Sequence, residues 1–292
     1  LGDVYKRQEL VNLKRFVPLW RSEGLDVVLL DHESNDGTET WAKRQLGRQI
    51  TRVDTMPWTG SFSLEQQLQA NQQLIQTLTQ DWVIHLDADE WPQSSRQGER
   101  LLDAIKRLDE AGYNAINFEE FVFLPLRKGA EPSHYYFFEP TQQRLMRAWK
   151  RSSGFSNYQQ GGHRLHSENE SIQIGEENGV LRHYIAINQK HARQKYLQRT
   201  FDIKEVAKGW HRNRCYLSAR ELSFPDPLFL QQSNDPENHQ LDRREPKTSH
   251  YWHWSDRTKP TNPRSLVCLY GCERDAELLN LFDPVSYTNL TL

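Results

Sequence analysis

Apolar residues recur at helical spacing at Leu10, Leu13, Val17 and Trp20. They predict a helix over Leu10–Ser22, with Pro18 distorting its end and Gly24 closing it. Leu25–Leu30 (LDVVLL) is a short β-branched run, the pattern of a strand buried on both faces of a parallel sheet. The polar turn Asp31–Thr38 (DHESNDGT) follows, and Thr38 opens a short helix through Leu46. Arg52–Val53 predicts a second short strand, with a loop over Thr55–Gly60. Ser63 and Gln66 form a capping box for a helix that keeps Leu64, Leu68, Ile75 and Leu78 on one face. Trp82–Leu86 predicts a buried strand that runs directly into Asp87, Asp89 and Glu90. A helix over Glu99–Ala111 and a strand over Ala115–Phe123 complete the regular part. Strands alternating with helices describe an α/β chain: a doubly wound, mostly parallel sheet with helices on both faces.

Beyond Pro125 the pattern turns irregular and aromatic (HYYFFEP), then basic over Arg144–Arg151. A strand is expected over Val180–Ile187 and a basic helix over Gln189–Ala207. Leu1–Gln8 (LGDVYKRQ) and Val285–Leu292 (VSYTNLTL) resemble translated adaptor sequence, so 1–8 and 285–292 are read as foreign flanks. The first strand of the sheet is then expected to be truncated. The expected organisation is a main domain over 9–223, an irregular linker over 224–262 rich in Pro, Asn and Asp, and the start of a second domain over 263–284. In that last segment Ser265–Tyr270 reads as a strand and Asp275–Phe282 as a helix.

Composition narrows the classes. The chain has 292 residues with 36% hydrophobic and 11% aromatic content, and its mean hydropathy is −0.84. That is a polar chain with aromatic residues to pack or to stack on ligands. Its net charge of −2 provides no electrostatic footprint for nucleic acid or an anionic membrane. No run approaches the ~18 apolar residues of a membrane span. Cys215, Cys268 and Cys272 make neither a disulfide framework nor a zinc site, so a reducing cytoplasm is expected, free or peripheral to the inner face of the membrane.

The sharpest chemical feature is Asp87–Glu90 (DADE). In an extended segment residues 87 and 89 point to the same side, and the carboxyl edge of a strand is where open α/β sheets bind ligands. Two carboxylates so placed repel unless a cation sits between them, and oxygen ligands of this kind suit Mg²⁺ or Mn²⁺. Read this way Asp89 is an exposed ligand, and Asp89→Asn is expected to spare folding. The alternative is an acidic first turn of the next helix, favoured by the macrodipole. Asp31 with Asp36-Gly37-Thr38 is the second feature. Asp31 suits a ribose hydroxyl or a base imide, and the alternative there is a helix N-cap turn.

With these residues in view, the chain resembles the family 2 glycosyltransferases of GT-A fold, in the branch acting on bacterial cell-surface glycans. VVLLDHESNDGT resembles the family's strand and Asp-x-x-Ser-x-Asp-Gly-Thr loop, and DWVIHLDADEW resembles its Asp-Ala-Asp-Glu element. RLMRAWK, LRHY and HARQKYLQR resemble later stretches, so the likeness covers Glu9 to Arg214. It implies that Asp31, Glu33, Asp36 and Asp87 hold the sugar nucleotide, and that Asp87, Asp89 and His183 hold Mn²⁺ or Mg²⁺. His183 is otherwise a structural histidine beside a core tyrosine. The chain departs from the family in having His32 after Asp31 and Gly162-His163-Arg164 where a His-Glu element stands.

The expected activity is therefore metal-dependent, inverting hexosyl transfer from a nucleoside-diphosphate sugar to a glycan or lipid-linked acceptor. The metal neutralises the departing diphosphate, and a carboxylate or histidine takes the hydroxyl proton. Glu119, Glu120, Glu168 and His163 are the candidate bases; Glu119 and Glu120 face opposite ways on a strand, so only one reaches the site. Two rivals stand beside this reading: a metal-dependent phosphatase or nucleotidyltransferase, and a nucleotide- or glycan-binding module without turnover.

Overall fold

The computed structural model describes residues 2–6 (backbone), 9–124, 134–139, 145–158, 162–168, 170–208, 230–235 and 237–243. The expected strand at 265–270, the helix at 275–282, the flank 285–292 and all three cysteines lie outside these residues.

The α/β class is as expected. β1 (Gly2–Lys6) lies between β2 (Val27–Asp31) and β4 (Trp82–Asp87) and is parallel to both, and β3 (Arg52–Thr55) pairs parallel on the far side of β2. The slot that a truncated first strand would leave is occupied. Residues 2–6, set aside in the sequence as foreign, fill the central slot and carry ladder hydrogen bonds on both sides. An interior slot left open would orphan the buried backbone groups of two neighbouring strands.

Beyond β4 the sheet turns antiparallel, so it is mixed rather than mostly parallel. β8 (Met146–Lys150) runs antiparallel between β4 and β6 (Ala115–Leu124). β7 (Tyr135–Glu139) pairs with β6, and β10 (Gln231–Gln232) pairs with β7 inside the expected linker. Leu241, also in that linker, is buried in the core. β5 (Glu90–Gln93) pairs antiparallel with β9 (Gly179–Tyr184), which runs parallel to β6. Only a turn separates β4 from β5, too short for the helical crossover that a parallel neighbour requires.

Helices cover both faces, as strand alternation dictates. Val27, Leu29, Ile84 and Leu86 pack with Leu13, Phe16, Val17 and Trp20 of α1 (Leu10–Ser22) and with Leu101, Ile105 and Leu108 of α4 (Leu101–Glu110). Val28, Leu30 and Val83 face the other way, onto Leu74 and Ile75 of α3 (Leu64–Gln76). α2 (Thr38–Arg44) follows the first polar turn. Pro18 sits on the exposed side of α1, and the helix continues past it. Ser63 caps α3, with Gln66 N donating to its Oγ at 3.1 Å. Gly24 has φ +85°, and a Cβ there would lie 2.7 Å from Leu102 Cβ, so only glycine allows the chain to turn from α1 toward β2 this close to α4. The helix expected over 189–207 is two: α5 (Gln189–Leu197) and α6 (Ile203–Ala207). They are interrupted where Phe62 exchanges backbone hydrogen bonds with Thr200 and Asp202.

Candidate functional site

In the parallel order β3-β2-β1-β4 the chain adds β2 and β3 on one side of β1 and β4 on the other, so the strand order reverses at β1. In register Lys6 stands opposite Asp31 and Tyr5 opposite Asp87, so the two aspartates flank the carboxyl end of β1 from either side. This is the topological switch point of the parallel part, where open α/β sheets form a ligand crevice.

The turn between β4 and β5 decides the aspartates' directions. β4 ends at Asp87, and Ala88 and Asp89 form the turn itself, which breaks the period-two alternation expected of 87 and 89. Asp87 keeps 31% of its side chain exposed, whereas Asp89 keeps 3%. Asp89 Oδ2 is ion-paired with Lys195 Nζ from α5 and lies 3.4 Å from His183 Nε2 on β9. Lys195 is held from its other side by Glu9 Oε1 at 3.2 Å, just before α1. Glu90 begins β5 fully buried; its Oε2 accepts from Asp87 N at 2.8 Å and its Oε1 from Arg147 at 2.5 Å. Arg147 comes from β8, lies 3.5 Å from Asp87 Oδ2, and donates to Gly162 O at 3.0 Å. Burial pushes the Glu90 carboxyl up, against the pull of Arg147.

His183 Nδ1 donates to Glu120 Oε1 at 2.6 Å. Burial opposes charge on the ring, but Asp89 and Glu120 more than offset it and hold the imidazole well above its usual range. Its two ring nitrogens thus face Glu120 and Asp89. Asp89 already carries the Lys195 ammonium. As arranged, the expected trio Asp87, Asp89 and His183 does not fit a divalent ion. Among the described residues no group of three or more His, Cys, Asp or Glu is placed to hold one.

The other candidates are divided. Asp31 is buried and accepts from Ser34 N at 3.0 Å and Ser34 Oγ at 2.6 Å; burial raises its carboxyl and Ser34 opposes. Glu33 takes φ 47° and accepts the Trp58 N–H at 2.9 Å, while the His32 ring meets the Trp58 ring edge-on at 4.8 Å. Asp36 accepts from Leu10 N at 3.0 Å and from Thr38 N and Oγ1 at 3.0 and 2.6 Å. Asp36 therefore fastens the starts of α1 and α2, the N-cap alternative left open by the sequence. Glu119 turns away from His183 and pairs with Arg243 at 2.6 Å. His163 follows Gly162, the carbonyl partner of Arg147, and its own carbonyl accepts from Met146 N. Glu168 is exposed on a loop around a polar depression of about 520 Å³ bounded by residues 165–168 and 170–172, none of them in the carboxylate turn.

Three partners of the turn were not singled out in the sequence. Glu9, Arg147 and Lys195 are far apart in the chain and sit among ordinary charged positions. The available signals were the RLMRAWK and HARQKYLQR stretches, which hold Arg147 and Lys195, and a basic residue alternating into a strand-like MRAWK run, where a buried arginine needs a buried acid. His85, inside β4, is a structural histidine: the Asn71 and Asn157 amides contact its two nitrogens at 2.8 Å.

No helix among the described residues is long and apolar enough to cross a membrane. No family model and no curated protein matches the chain. S. aureus TarS is similar at 10% identity, over 68% of this chain and 39% of that chain, with a TM-score of 0.42. S. aureus TarS 1–349 in complex with UDP-GlcNAc is similar at 10% identity over 62% and 57%, with a TM-score of 0.41. HddC from Yersinia pseudotuberculosis is similar at 9% identity over 62% and 72%, with a TM-score of 0.30. The chain thus spans 39% and 57% of the two TarS chains. At TM-scores below 0.5 these likenesses carry no argument, and the reading of the site rests on its geometry.

Proposed function

We propose that the chain transfers a glycosyl group, with inversion, from a nucleoside-diphosphate sugar to an acceptor hydroxyl. One observation carries this reading: Asp31 and Asp87 flank the carboxyl end of β1 at the switch point of the parallel strands. In this reading Asp31 faces the nucleoside, and Asp87 faces the diphosphate and sugar with Arg147 beside it. The acceptor oxygen attacks the anomeric carbon, the bond from that carbon to the diphosphate oxygen breaks, and the hydroxyl proton passes to Glu120. His183, hydrogen-bonded to Glu120, orients that carboxylate. His163 and Glu168 are secondary candidates for the proton, and the acceptor is a glycan or lipid-linked hydroxyl.

A binding module without turnover is the second reading. It is favoured by the pairing of Asp89 and Glu90 with cations inside the fold. Calorimetry with UDP, ADP, GDP and CDP, followed by hydrolysis of the matching nucleotide sugars, tests both. Binding with donor hydrolysis that falls about a hundredfold in Glu120→Gln supports transfer. Binding without hydrolysis of any donor supports the module, and absence of nucleotide binding overturns both.

A further inference from the structure

Asp-x-Asp turns at a strand end attract a divalent cation because a diphosphate cannot approach uncompensated carboxylates. Here the compensation comes from the chain. Lys195 reaches from α5 and pairs with the Asp89 carboxylate, with only 6% of its own side chain exposed. Glu9 grips the same ammonium at 3.2 Å, so Lys195 cannot swing out to leave Asp89 open. Arg147 does the same for Asp87 and Glu90 from β8, at 3.5 and 2.5 Å. The second aspartate of the turn therefore has its cation before any ligand arrives, and that cation is covalently part of the protein.

We infer that Lys195 is the built-in counter-cation of the carboxylate turn, and that the site takes a nucleoside diphosphate without a divalent metal. The inference rests on the nucleotide reading above. Lys195 acts through Asp89 and is a positioning residue: it removes the charge that would repel the diphosphate. Deleting it leaves a buried carboxylate that a metal ion is then free to claim.

The test uses the full chain, treated with EDTA and dialysed. UDP binding is measured by calorimetry in EDTA and in MnCl₂, and Mn²⁺ uptake by loss of the free-ion electron paramagnetic resonance signal. For the wild type, UDP affinity in the two buffers should agree within about twofold, and the Mn²⁺ signal should persist. Lys195→Met should lose about tenfold or more in UDP affinity in EDTA, take up Mn²⁺, and regain UDP affinity with it. Such rescue is not expected of a residue whose role is only structural. Lys195→Arg should keep metal-independent binding, which covers the case in which Lys195→Met does not fold. UDP binding by the wild type only in MnCl₂ overturns this inference and leaves the nucleotide reading standing. Failure of UDP, ADP, GDP and CDP to bind in either buffer overturns both.

Discussion

Asp89 is a buried ion-pair partner rather than an exposed ligand, and this changes what its substitution does. Asp89→Asn leaves Lys195 with Glu9 alone and strips His183 of one carboxylate. Breaking a buried pair from one side costs roughly 3–5 kcal/mol, and the retained Glu9 contact places this case near about 3 kcal/mol. Urea denaturation checks it: an unchanged midpoint would contradict the pairing. Glu23 is a second buried acid with a measurable signature. Its carboxylate accepts from Leu101 N at 2.8 Å at the start of α4, and burial lifts it from 4.5 to about 7. Between those values the folded protein holds a proton that the unfolded chain has lost. Stability therefore falls as pH rises from about 4.5 to about 7, by about 3 kcal/mol for this group. Glu23→Gln should remove that part of the slope of unfolding free energy against pH, and a slope identical to wild type would refute it.

At the level of elements, the start of α3 shows how a short helix earns its place. Glu205 of α6 receives Ser63 Oγ at 2.8 Å, Leu64 N at 3.0 Å and Glu65 N at 2.8 Å. These are donors that a helix N-terminus cannot satisfy within itself, and a carboxylate there also meets the positive end of the macrodipole. Glu205→Ala is expected to cost about 2 kcal/mol. Hydrogen exchange should quicken first at residues 64–66, and uniform exchange along α3 would show that α6 is not its cap. The same contact explains why the helical pattern over 189–207 breaks: Thr200 and Asp202 give their backbone groups to Phe62. β6 shows a comparable adjustment. Its register shifts between Ile116 and Asn117, and the Asn117 amide closes the gap by accepting from Leu145 N at 3.1 Å and donating to Asn178 at 3.0 Å.

For the whole molecule the decisive strand is β1. Deleting residues 1–8 opens the sheet between β2 and β4, exposing a row of backbone groups on each. The truncated chain should lose its cooperative thermal transition and its near-ultraviolet circular dichroism. A truncated chain that melts like the full one would show that the slot closes without those residues.

The periodicity of apolar positions was enough to place α1, β2, α3, β4, α4 and β6 within a few residues. Each is local: its hydrophobic face is written at a fixed spacing, and its ends are marked by Ser63 or a glycine. The same local signals picked out Asp31, Asp87 and Asp89 as groups at strand ends. Strand partnership was not legible, because pairing joins residues far apart in the chain, and β1, β8 and β9 carry no mark of their neighbours. Nor was the charge state of the turn. A carboxylate's chemistry depends on what faces it, and Lys195 reaches Asp89 only once α5 has docked on the sheet. The sequence determined that acids gather at a strand end; the tertiary structure decided that three of them already have cations, since electrostatic partnership is a property of distance in space rather than of order along the chain.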